Sequence, residues 1–157
     1  MYREKEDFLQ DWNLAVDGTV RVLEAMKDDK LQQSIEEGHN SLGWLGWHLA
    51  TALAFFGGQI GLKVEAAGGP NDVPGCAADI VAAYKKSAEN VKEEVEKLTD
   101  EQLVETVDSF GRQVPRGALL RSMIDHQTHH RGQMTVLLRQ AGLKVPGVMG
   151  PTREDQM

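Results

Sequence analysis

Residues Pro115–Gly142 read PRGALLRSMIDHQTHHRGQMTVLLRQAG, and this stretch decides the class of fold. Leu119, Leu120, Met123, Met134, Leu137, Leu138 and Ala141 recur at three- and four-residue spacing, which places them on one face of a long helix. Proline at 115 suits a helix start, where its missing N–H costs nothing. Glycine at 142 suits the left-handed residue just past a helix end.

Working back toward the start, three more segments carry the same period. Cys76 to Leu98 presents Ile80, Tyr84, Ala88, Val91, Val95 and Leu98 on one face, and a charged, solvated face opposite. Asn40 or Ser41 offers a side-chain cap for a helix running to about Leu62, with Leu42, Leu45, Leu49, Ala52, Leu53 and Phe56 as its stripe. Tyr2 to Asp29 carries Phe8, Leu9, Trp12, Ala15, Val16, Val20, Val22, Leu23 and Met26. Four long amphipathic segments in one chain predict an all-α, antiparallel four-helix bundle, a single domain over residues 1–157.

The connections differ in kind. Lys30 to His39 is a polar linker with room for a turn of helix. Val64 to Gly75 holds Gly68-Gly69-Pro70-Asn71-Asp72 and Pro74-Gly75, which marks a loop. Thr99 to Leu103 reads as a short capped turn. Val104 to Val114 reads as extended or as a short hairpin-like excursion, and Leu143 to Met157 as ordered coil or a loop.

Composition narrows the functions. The chain has 157 residues, enough for a real core, with 41% hydrophobic and 26% charged residues. Its net charge of −7 disfavours nucleic acid as a partner, since phosphate binding needs a concentrated basic face. Trp44 to Leu62 is the most apolar stretch, but Gly46, His48, Gly57, Gly58 and Gln59 interrupt it, so no membrane span is expected. The charged opening Met1 to Asp7 predicts no export signal. Cys76 is the single cysteine, which excludes an internal disulfide and a multi-cysteine zinc site, and a cytoplasmic location is the expectation.

The five histidines carry the chemistry. At ~100° per residue His126 and His130 stack one turn apart and can reach one ion. On the same wheel His130 lies roughly 30° from the middle of the apolar face and His126 about 70°, while His129 points roughly 130° away. His129 is therefore read as a rim residue. His48 sits at the edge of the second helix's stripe, and packing that helix beside the last one brings it to the pair. Three neutral imidazoles with an open fourth position match a catalytic rather than a structural zinc site, and zinc, nickel, copper and iron all accept imidazole. The alternative is that each histidine is a satisfied packing residue, although three buried imidazoles without an ion are costly to gather.

Neighbouring residues add weaker signals. Gln133, roughly 20° from His126 on the wheel, can hydrogen-bond a ligand imidazole or simply sit in a helix interface. Trp44 and Trp47 flank the His48 position, as core or as aromatic walls. Glu36 and His39 have a di-iron-like spacing, but it occurs once, in a polar linker, and is read as coincidence. No His-Glu-x-x-His is present, so the pair lacks the built-in base of zinc proteases. Asp125 adjoins His126 but faces elsewhere. Cys76 reads as a small capping or packing residue.

Two stretches carry a family likeness: Ser41-Leu42-Gly43-Trp44-Leu45-Gly46-Trp47-His48-Leu49-Ala50, and His126-Gln127-Thr128-His129-His130-Arg131-Gly132-Gln133-Met134 with Pro146-Gly147-Val148-Met149-Gly150-Pro151 beyond it. In these the chain resembles the DinB/YfiT-like superfamily of metal-binding four-helix bundles. The resemblance implies an up-down-down-up bundle, a homodimer, and one divalent ion, zinc or nickel, on His48, His126 and His130. It also implies a thiol S-transferase type of activity using a low-molecular-weight thiol such as bacillithiol. Three functions stand open at this point: an enzyme activating a thiol or water, a metal-dependent small-molecule binding or sensor protein without turnover, and a structural dimer.

Overall fold

The computed structural model describes residues 1–156; Met157, the last residue of the tail read above, lies outside the described residues. Four long helices carry the architecture: α1 (Lys5–Glu24), α2 (Leu42–Ile60), α3 (Ala77–Glu96) and α5 (Arg116–Gln140). Between α3 and α5 lie a five-residue helix, α4 (Asp100–Val104), and an antiparallel hairpin of β1 (Thr106–Ser109) and β2 (Arg112–Pro115). Short 3-10 turns occupy Asp28–Lys30 and Arg153–Gln156. The expectation of a purely helical fold is thus modified by one small two-stranded sheet, at the place read as extended or hairpin-like.

Local chemistry sets the helix ends. Ser41 Oγ accepts from the Trp44 N–H at 3.1 Å, and Thr99 and Gln102 form a reciprocal capping box. Gly61, at φ 87°, takes the left-handed conformation that ends α2, and Leu62 N–H returns to Gly57 O at 2.8 Å. Cys76 occupies the N-cap position of α3 but its thiol caps nothing; Asp28 Oδ1 accepts from Ala77 N–H at 2.8 Å instead. α1 is shorter than the expected Tyr2–Asp29. Tyr2 is held outside the helix by its N–H bond to Gly117 O at 3.1 Å, and Lys27 is extended. The Gly117–Tyr2 approach leaves no space for a Cβ, which would run into the Tyr2 carbonyl.

Hydrogen bonds between helices give the directions. Trp12 Nε1 donates to Ala88 O, and Lys5 Nζ donates to Glu96 O and Leu98 O, so α1 and α3 are antiparallel. Tyr2 meets Gly117 and Ala15 meets Arg131, so α1 and α5 run parallel. The 61–76 connection runs back along α2, where Gly69 O accepts from Trp47 Nε1 at 2.8 Å, and this makes α2 and α3 parallel. The result is the up-down-down-up bundle. A core including Phe8, Leu23, Leu49, Ile80 and Leu120 runs through all four long helices. No described helix is long and apolar enough to cross a membrane.

Candidate metal centre

α2 and α5 lie side by side and antiparallel, and the histidines converge in the seam between them. His126 and His130, one turn apart on α5, have ring centroids 4.5 Å apart. The His48 ring, from α2, lies 4.9 Å from His126 and 4.7 Å from His130. His48 Nε2 is 3.0 Å from His126 Nε2, and one ligand-capable atom from each of the three residues lies within 4.8 Å of the others. Among the described residues this is the group of three or more potential ligand residues that could hold an ion.

Aromatic rings pack against two of the three histidines. Trp44 stacks on His48 with centroids 4.8 Å apart and planes at 10°. Phe56 leans on His126 at 5.0 Å. The sequence does not announce Phe56 as a neighbour, because the contact crosses from α2 to α5. This environment favours neutral imidazole. Burial pushes His48, His126 and His130 below the ordinary histidine value, and neighbouring rings add to the effect at His48 and His126. His126 falls to about 4.

The donor set fits a divalent ion. Gln133 Oε1 lies 2.7 Å from His130 Nδ1 and accepts its proton, so the lone pair of His130 resides on Nε2. His126 Nδ1 is buried with no hydrogen-bond partner among the described residues. Protonated at Nδ1, His126 would bury an unpaired donor, and its Nε2 lone pair would face His48 Nε2 at 3.0 Å, where His48 either donates a hydrogen or presents a second lone pair. Protonated at Nε2, it would occupy that contact with a hydrogen. With the lone pairs of both rings on Nε2, the pair is arranged to share a cation. Ligand nitrogens ~2.0–2.1 Å from a tetrahedral ion sit about 3.3 Å apart; His48 Nε2 and His126 Nε2 are 3.0 Å apart, and all three ligand atoms lie within 4.8 Å of one another.

The model of the DinB family matches residues 1–157. The chain belongs to the DinB family. Among its relatives, the Bacillus subtilis protein YrdA is 36% identical over 156 residues, covering 99% of this chain and 93% of YrdA. A crystal structure of a DinB-like protein from Bacillus cereus superposes with a TM-score of 0.86 at 41% identity, over 94% of this chain and 99% of that one. The DinB-like protein YjoA from Bacillus subtilis shares the fold, with a TM-score of 0.73 at 22% identity over 92% of this chain and 99% of that one.

Other residues singled out in the sequence take defined places in this DinB bundle. His129 is exposed beside His130, at 4.8 Å between centroids, outside the three-residue group. Trp47 is no wall of the site; its indole anchors the 61–76 connection. Asp125 pairs with Arg121 on the surface at 2.9 Å. Glu36 and His39 lie 3.8 Å apart, both exposed.

Two inward polar residues escaped the sequence reading. Gln127 is fully buried, and Arg131, 5% exposed, donates to Ala15 O at 2.7 Å and to Thr19 Oγ1 at 3.2 Å. The buried surface of α5 therefore centres nearer Leu120, Met123, Gln127, Arg131, Met134 and Leu138 than apolar residues alone indicate. The histidines occupy its α2-facing flank. The i, i+4 spacing of Gln127 and Arg131 along that stripe was the available signal.

Proposed function

We propose that this DinB protein holds one divalent transition metal ion, zinc or nickel, on the Nε2 atoms of His48, His126 and His130, and uses it to activate a low-molecular-weight thiol or a water. The single observation carrying this reading is the 3.0 Å approach of His48 Nε2 and His126 Nε2, completed by His130 with its tautomer set by Gln133. When bound, such an ion lowers the pKa of a coordinated thiol or water and makes it a nucleophile near neutral pH.

The protein's own groups do the rest. The three imidazoles are kept neutral by burial and need shed few protons to serve as ligands. Trp44 and Phe56 pack on His48 and His126 and help hold the two rings in place. No fourth side-chain ligand joins the group among the described residues, which leaves room for an exogenous one. The family likeness supports a thiol such as bacillithiol in that position, giving a thiol S-transferase type of activity.

Metal analysis of purified protein, followed by conjugation of bacillithiol to a chlorinated nitroaromatic, tests the reading. About one ion per chain and conjugation lost in His130→Ala support it. Tight metal with no turnover above that variant favours binding or sensing without catalysis, and no retained metal removes the proposal.

A further inference from the structure

One turn beyond the histidines, the α2–α5 seam opens into a cavity of about 360 Å³. Its position follows from the antiparallel helices. Gln133, Val136 and Leu137 come after His130 on α5, Leu45 comes before His48 on α2, and both steps lead the same way along the seam. Leu45 and Leu137 form a buried floor. Ile35 and Val136 form the walls and are left 62% and 46% exposed, so apolar surface there is open to a ligand. His39, Asn40 and Gln133 supply the polar edge, and no Asp, Glu, Lys or Arg lines the cavity.

Gln133 joins the two sites. Its Oε1 is taken by His130 Nδ1 at 2.7 Å, so its amide N–H groups are the part left for a ligand. A group meeting Gln133 there must accept hydrogen bonds. The volume sits at the small end of ligand pockets, suiting a compact molecule rather than a protein segment. We infer that this cavity binds the apolar body of a small neutral molecule whose carbonyl-type acceptor meets the Gln133 amide beside the histidines. The inference rests on the proposed function, because it names the class of second substrate presented to that centre.

Cyclohexanone serves as the probe, having an apolar ring, one neutral acceptor and weak affinity for metals. Protein carrying labelled Ile, Leu and Val methyl groups and incubated with zinc is titrated by NMR, and zinc content is measured on the same samples. Saturable shifts confined to Ile35, Leu45, Val136 and Leu137 are expected, with binding at least tenfold weaker in Val136→Glu. Cyclohexylammonium, which donates but does not accept, should bind at least tenfold more weakly than cyclohexanone. Absence of saturable shifts, equal binding by Val136→Glu, or equal binding of the ammonium overturns the inference. So do Ile35 and Val136 signals that change on dilution alone, since a second copy would then fill the cavity. Zinc retained without cyclohexanone binding sinks the cavity alone; cyclohexanone bound without retained zinc upholds the cavity and sinks the proposed function.

Discussion

Gln133 Oε1 accepts the Nδ1 proton of His130 at 2.7 Å, three residues away on the same helix. The bond fixes the ring's tautomer and direction at once, leaving the lone pair on Nε2. Outer partners of this kind typically contribute 10–100-fold to metal affinity. Gln133→Ala should therefore bind zinc about 10–100-fold more weakly in competition with a chromogenic chelator, with its thermal midpoint in the metal-free state nearly unchanged. Gln133→Glu keeps the acceptor and should stay within a few-fold of wild type. Equal affinity in all three proteins would show that the bond does not position His130.

In chelator-treated protein, the histidines tie stability to acidity. His126 resists protonation until about pH 4 when folded, well below the ordinary histidine value of about 6.5. The unfolded chain then binds more protons than the folded one between those values, so stability is fully present above ~6.5 and declines as pH falls toward 4. The urea midpoint of metal-free protein should drop across that interval, and His126→Leu should make the drop shallower. Identical pH profiles for the two proteins would contradict the desolvation of this ring.

Arg131 is a buried cation spanning α5 to α1. Its guanidinium reaches Ala15 O and Thr19 Oγ1, and also Thr128 Oγ1 at 3.2 Å. Arg131→Met strips partners from buried acceptors and should cost about 2–4 kcal/mol by urea denaturation at unchanged m-value. Arg131→Lys loses the planar fork and should fall between. A loss under about 0.5 kcal/mol for the methionine variant would mean the clamp is energetically idle.

The hairpin tip places Phe110 at φ 52°, followed by Gly111 at φ 77°, with the Phe110 side chain 79% exposed. A bulky residue is unfavourable in that conformation, whereas asparagine adopts it readily. Phe110→Asn should raise stability by about 0.5 kcal/mol. A decrease of that size instead would show that the Phe110 contact with Phe55, 6.1 Å between ring centroids, outweighs the backbone strain.

Much of this was legible from the chain alone. The three- and four-residue spacing, Ser41, the capped turn read at Thr99 to Leu103, and Gly142 located the helices, because caps and periodicity are local chemistry. The His126–His130 pairing followed from helical geometry, and His48 stood at the edge of a stripe. The Glu36–His39 spacing did not form a second centre, since both side chains are exposed and neither belongs to the three-histidine group.

What the bundle alone decided is how α5 is turned. A helix packed on two neighbours buries more than one stripe, and a wheel centred on apolar residues cannot weigh an inward Gln127 or Arg131, whose partners lie over a hundred positions away in the case of Ala15 and Thr19. That rotation sends His126 toward Phe56 and sets Gln133 between His130 and the adjoining cavity. The sequence by itself supplied four helices and three candidate imidazoles. Bringing the imidazoles to one point required the α2–α5 seam, because contacts between distant segments depend on packing, which local pattern does not encode.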